Sequence, residues 1–288
     1  MIFDWQSRYS VDTLEDDDNV EGNEMKLDIR IQLMAQATLN EGKADAQNQL
    51  KLWLHTHHTY DKLIAERLTE MAKLKLHEPH IDLQLFPVGS WHLQIDFTLA
   101  KPYLSKDDEA FYIIDNPVKK EKVFRVPYVS PATWKGNLRE ALRLGLDWQD
   151  EDETMRWLMG NERKSEENFR AGRLHFFPTY FDRLDLEVIN PHDRTTGAGK
   201  MPIYLEVVPA KSKGIFHLLY VPFDQLHESE ETRCQQAWAL LAHVQAAMQF
   251  LLVDLGVAAK KSSGFGIADA ANMKASVWRK KTAGVTHE

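Results

Sequence analysis

The switching between strand-like and helix-like patterning from residue 80 onward is what most restricts the fold of this chain. Ile81-Asp82-Leu83-Gln84-Leu85 and His92-Leu93-Gln94-Ile95-Asp96-Phe97-Thr98-Leu99 alternate apolar and polar side chains, the period of half-buried strands, and Pro87-Val88-Gly89-Ser90 between them predicts a hairpin. Residues 133–146 change to helical spacing, with Trp134, Leu138, Ala141, Leu142 and Leu144 as the buried stripe. Residues 150–169 read as a charged helix ending near Gly160 or Asn161, and residues 174–177, 184–189, 204–208 and 215–221 as strands. The clearest helix is 230–255: Ala237, Leu240, Leu241, Val244, Ala247, Met248, Leu251 and Leu255 share a face, and Gly256 stops it. Strands, helix, strands, helix and a final short strand predict an α+β architecture with helices laid on an antiparallel sheet.

The first 79 residues differ in character and are expected to form a separate acidic-loop and helical segment, leaving 80–288 as the second domain. Residues 1–24 hold eight acidic side chains against Arg8 alone, so much of the net charge of −8 is concentrated there and basic patches are free to form elsewhere. Residues 10–24 read as a polar loop, and 25–39 and 47–76 as helices. His55, His57 and His58 lack a carboxylate or cysteine partner and do not predict a metal site. The single cysteine, Cys234, excludes an internal disulfide. No apolar leader and no window of membrane-spanning length are read from the sequence, which predicts a cytoplasmic protein with no membrane partner.

Two stretches carry the chemistry. Tyr112-Ile113-Ile114-Asp115-Asn116-Pro117-Val118 is an Asx-Pro turn bearing a carboxylate. Pro127-Tyr128-Val129-Ser130-Pro131-Ala132-Thr133-Trp134-Lys135-Gly136-Asn137-Leu138-Arg139 launches a helix with two cations near its start, where free backbone N–H groups and positive side chains favour phosphate. A third stretch, Gly256-Val257-Ala258-Ala259-Lys260-Lys261-Ser262-Ser263-Gly264-Phe265-Gly266, offers glycines, lysines and serines in a loop whose backbone can approach phosphate closely. It follows a helix and lacks the residue order of a P-loop.

Taken in order, four segments resemble the RAMP superfamily of CRISPR effector subunits. They are Ile114-Asp115-Asn116-Pro117-Val118 with the Pro127 and Lys135 stretches; Met159-Gly160 with Ala171-Gly172-Arg173-Leu174-His175-Phe176; Asn190-Pro191-His192 with the strand through Pro202-Ile203-Tyr204-Leu205; and the glycine loop of 255–266. The Asn-Pro-His element is similar to one in the sixth subunit of the Cmr complex, and the Asp-Asn-Pro element to the repeating backbone subunit of type III complexes. Ser130-Pro131-Ala132-Thr133-Trp134 departs from the family's glycine-containing turn.

This resemblance implies a ferredoxin-like (RRM-like) core with residues 190–202 as a thumb-like projection. It implies a chain that grips guide CRISPR RNA in a hetero-oligomeric filament of effector subunits and meets target RNA. The residues expected to touch RNA are Lys135, Arg139, Arg173, His192, Arg194, Lys200, Lys260, Lys261, Ser262, Ser263, Gly264 and Gly266. Asp115 falls on the family's catalytic aspartate and would cleave target RNA while holding Mg²⁺, with Asp107 and Asp108 as lesser auxiliaries. His175 lies in a strand and reads as packed. A non-catalytic capping or structural subunit and a free-standing ribonuclease that processes precursor RNA are the alternatives.

Overall fold

The computed structural model describes residues 59–106, 116–161, 170–189, 203–282 and 284–288. Its elements in chain order are α1 (Thr59–Lys73), β1 (Trp91–Thr98), β2 (Tyr128–Val129), α2 (Pro131–Leu146), α3 (Glu153–Met159), β3 (Leu174–Phe176), β4 (Thr179–Tyr180), β5 (Asp185–Ile189), β6 (Ile203–Val207), β7 (Lys213–Tyr220), α4 (Glu230–Phe250), β8 (Lys274–Lys281) and β9 (Gly284–His287). The chain divides into two compact units, each discontinuous in sequence. One comprises residues 1–70, 104–127 and 182–209, the other 71–103, 128–181 and 210–288.

The second unit is built on a five-stranded sheet in the order β3-β7-β1-β8-β9, every neighbouring pair antiparallel. Strands β1 and β7 occupy the middle, and the segments β1-α2-β3 and β7-α4-β8 interleave around them. The α+β class expected from the patterning is what the chain adopts. Alternation along β1 puts Trp91, Leu93, Ile95 and Phe97 on one face, in register with Tyr220, Leu218, Phe216 and Gly214 of β7. All except Gly214, which has no side chain, are buried, and so are Trp134, Leu138, Ala141 and Leu142 of α2 and Ala237, Leu241, Val244 and Met248 of α4. The Trp134 ring meets Phe97 and Phe216 edge-on at centroid distances of 6.2 and 4.7 Å. Trp91 stacks on Tyr220 at 5.1 Å, and its indole N–H donates to the Ala237 carbonyl at 3.1 Å. Each such burial contributes about 2–3 kcal/mol, so this face holds α2 and α4 in place.

On the opposite face, four rings cross four strands. His217, His92, Trp278 and His287 follow one another at centroid distances of 5.3, 5.0 and 4.6 Å. His92 Nε2 and His217 Nδ1 are hydrogen-bonded at 3.1 Å. Burial, reinforced by the charge His217 would carry, lowers the His92 pKa to about 4, and burial lowers that of His217 as well.

Part of this face is covered by residues 81–86, and here the hairpin expectation is corrected. Residues 83–85 form a 3-10 turn, not a strand, because the Asp82 carboxylate accepts the Gln84 N–H at 2.9 Å. Both edges of β1 are already taken by β7 and β8. The apolar alternation arises instead because Leu83 packs with Leu219 and Val221, whereas Leu85 is 80% exposed.

Helix α4 starts at Ser229, whose hydroxyl accepts the Thr232 N–H at 3.1 Å, and continues into one π-helical turn, Leu251–Leu255, before Gly256 at φ +78°. Residues 230–255 are long and apolar enough, by length and composition, to cross a membrane, which corrects the expectation that no such window exists. The apolar stripe of this helix is nevertheless buried in the core of the second unit. In the first unit, β5 and β6 form an antiparallel ladder from Asp185↔Val207 to Ile189↔Ile203. The intervening 190–202 excursion lies outside the described residues, as do the helix expected at 25–39, the start of the one expected at 47–76, and residues 107–115.

Candidate nucleic-acid interface

The start of α2 is fixed by its own sequence. Ser130 caps it, its hydroxyl accepting the Thr133 N–H at 3.2 Å, and Pro131 occupies the first helical position, where its preset φ suits the helix. Trp134 N–H bonds to the Ser130 carbonyl at 3.0 Å. Pro131 has no N–H to leave unsatisfied. The cap thus uses most of the helix terminus, and the positive charge expected near it sits on the cations one turn later.

Trp134 sets where those cations lie. Its ring is fully buried and its indole N–H donates to Thr179 Oγ1 at 3.1 Å, which fixes the rotation of α2. Lys135 and Arg139 follow at i and i+4 on the half-exposed flank. Desolvation and the neighbouring Arg139 charge both lower the Lys135 pKa. Arg139 Nε is buried without a hydrogen-bond partner, and its nearest carboxylate, Asp150, is 3.9 Å away. The two like charges thus lie one turn apart, with Asp150 pairing loosely with Arg139. His175, expected to be packed, is exposed on β3, and its pKa is lowered by desolvation and then by the Lys135 charge.

The glycine loop is fastened to the same helix. Lys261 pairs with Glu140 of α2, and Asn137 Nδ2 donates to the Val257 carbonyl at 3.5 Å. The base of the loop closes through Val257 N–H to Gly266 O at 3.1 Å and Gly266 N–H to Pro102 O at 2.8 Å. Glycine is required there: Gly266 has φ +75°, and a Cβ on it would sit 2.6 Å from Ala258 N. At the tip, Lys261–Ser263 make a 3-10 turn ended by Gly264 in the left-handed region. Lys260, Ser262 and Ser263 are exposed, and nothing lies within 4 Å of a Cβ placed on Gly264. The structure thus brings Lys135, Arg139, Lys260, Lys261, Ser262, Ser263, Gly264 and Gly266 onto one helix and the loop tied to it.

Arg173 is different. It is 4% exposed, with Nε and Nη2 donating to the two Asp224 carboxylate oxygens at 2.8 and 2.7 Å and Nη1 to the Tyr220 hydroxyl at 3.2 Å. Its guanidinium also lies over Trp157 at 4.9 Å. Arg173 is a framework residue here, not a free surface cation.

In the first unit, Asp115, His192, Arg194 and Lys200, together with Asp107 and Asp108, lie outside the described residues. The residues just after Asp115 are held firmly. Glu206 of β6 is completely buried and accepts both the Val118 N–H, at 2.9 Å, and the Lys120 ammonium. The Glu206 N–H donates to the Asn116 carbonyl at 3.1 Å. This clamp joins the Asn116-Pro117 turn to the strand that leaves the 190–202 excursion. Sequence reasoning missed it; the one signal was an acidic residue between apolar ones in Leu205-Glu206-Val207.

The RAMP superfamily model matches residues 52–269. The chain belongs to the RAMP superfamily. This RAMP chain is also similar to a chain in a cryo-EM structure of the Type III-B Cmr-beta bound to cognate target RNA, with a TM-score of 0.51 and 15% identity, covering 88% of this chain and 78% of that one. At that identity the likeness concerns the fold. No curated protein sequence matches the RAMP chain.

Proposed function

We propose that this RAMP chain is a guide-RNA-binding backbone subunit of a type III CRISPR ribonucleoprotein, assembled in the cytoplasm with other effector subunits. The observation that carries the reading is the fastening of the glycine loop to α2, which gathers cations, hydroxyls and left-handed glycines along one helix. Such a surface suits a sugar-phosphate backbone without regard to base sequence. The interleaved β1-α2-β3 and β7-α4-β8 segments support a ferredoxin-like core. The structural neighbour bound to target RNA supports the same assignment. Residues 190–202 would then act as a thumb, with His192, Arg194 and Lys200 reaching RNA.

Asp115 is the proposed site of target cleavage. Among the described residues no three His, Cys, Asp or Glu side chains gather to hold a metal. A Mg²⁺ held by Asp115 would draw further ligands from RNA oxygens and water, which is ordinary for that ion, and would supply charge stabilisation at the phosphoryl oxygens. The clamp of Glu206 on Val118 and Lys120 fixes the chain just beyond Asp115, which also suits a purely structural turn in a non-catalytic subunit.

Asp115→Ala in the reconstituted complex separates these readings. The expected result is loss of target cleavage by about 10²-fold or more with target binding retained. Unchanged cleavage would assign Asp115 to turn formation, and cutting of precursor RNA by the isolated chain would favour a free-standing nuclease.

A further inference from the structure

A cleft of about 420 Å³ opens on the sheet face away from α2 and α4, between residues 78–84 and the ring ladder. Its walls include Glu78, Asp82, Gln94, His217 and Trp278, and among the described residues no lysine or arginine lines it. The polar groups it offers include several acceptors beside the donors of His80, Gln84 and Trp278. Glu78 and Asp82 bring carboxylates. Gln94 donates one amide N–H to Asp96 Oδ1 at 3.0 Å and also carries an amide oxygen. His217 is 4% exposed, its Nδ1 bonds to His92, and its Nε2 is shut off from water without a hydrogen-bond partner. A polar atom buried in this way is costly unless something satisfies it. In the tautomer whose Nδ1–H donates to His92, the Nε2 atom presents a lone pair. The Lys280 ammonium is held by the Gln84 and Phe86 carbonyls at 2.7 and 2.6 Å.

We propose that this cleft is a docking site for an arginine side chain of a neighbouring protein subunit. A guanidinium is planar, rich in N–H donors and positively charged, and it stacks on aromatic faces. Two of these properties meet complements here: Gln94 Oε1 and His217 Nε2 for the N–H groups, and Glu78 and Asp82 for the charge. A phosphodiester finds none of these and meets two carboxylates. That the arginine comes from an effector subunit rests on the assembly proposed above. The cleft itself does not.

The test uses the full chain and N-acetylarginine methylamide as probe, followed by the NMR signals of the His217 imidazole and the Trp278 indole. Both signals are expected to move saturably. N-acetyllysine methylamide should bind about ten-fold more weakly, because an ammonium cannot present a planar fork of N–H donors. Glu78→Gln, at an exposed residue, should fold normally, weaken the arginine probe several-fold and leave retention of guide RNA unchanged. Unmoved signals with the arginine probe would overturn the proposal. So would a stronger response to adenosine or a short uridylate RNA, which would make the cleft a nucleobase site.

Discussion

Lys120→Met is expected to destabilise the protein by about 3–5 kcal/mol, the usual consequence of removing one partner from a buried ion pair. Lys120 is 4% exposed and Glu206 fully buried, so the substitution removes the ammonium from a carboxylate in a dry site. The loss comes from the stranded charge, because an intact buried pair often contributes little net stability. Adding Glu206→Gln to Lys120→Met removes that charge while keeping an acceptor for Val118, and should recover at least half the loss. Urea midpoints of the three proteins test this directly. A cost below about 1 kcal/mol for Lys120→Met, typical of a solvated pair, would contradict a buried clamp.

Acid is expected to weaken the fold over a defined window. The folded His92 has a pKa of about 4 because burial and His217 oppose its charge, whereas the unfolded side chain titrates near 6.5. Between those values the unfolded chain binds a proton that the folded chain refuses, so stability falls as pH drops through the window and is unaffected above it. The difference of about 2.5 pH units corresponds to about 3 kcal/mol in total. His217 and His175 are lowered as well, and add to the same direction. His92→Gln should flatten the profile between pH 6.5 and 4 relative to the parent protein. Parallel profiles would show that His92 does not carry the acid sensitivity.

The helices and the sheet of the second unit were legible where one face is buried and the period is therefore visible, as in α2, α4, β1 and β7. Strand β8 was expected only as a short final element, yet it runs from Lys274 to Lys281 and pairs with β1 along most of its length. Its signal is masked by cations: Arg279 lies on Trp238 at 5.1 Å and pairs with Glu288 at 2.7 Å, so a charged residue occupies a position that patterning assigns to solvent. Residues 81–85 misled for the reverse reason, since an Asp side chain captured the backbone that the alternation would have placed in a strand.

The candidate interface divides in the same way. The glycine loop could be read because positive φ at Gly256, Gly264 and Gly266 leaves a composition signature. The neutralisation of Arg173 by Asp224, fifty-one residues away, leaves none. Nor does the pairing of Lys120 with Glu206 across eighty-six residues. A cation in a sequence declares its charge but not its partner, and the partner decides whether it is available to phosphate.

The most direct measurement is the nucleic acid carried by this chain when it is purified with its natural neighbours at moderate salt, beside a variant bearing Lys135→Ala, Arg139→Ala, Lys260→Ala and Lys261→Ala. A short CRISPR transcript should accompany the parent chain, with the variant losing it regardless of guide sequence and showing a salt slope shallower by roughly one per lost phosphate contact. A parent complex free of RNA, or a variant that retains it with the same salt slope, would contradict the account.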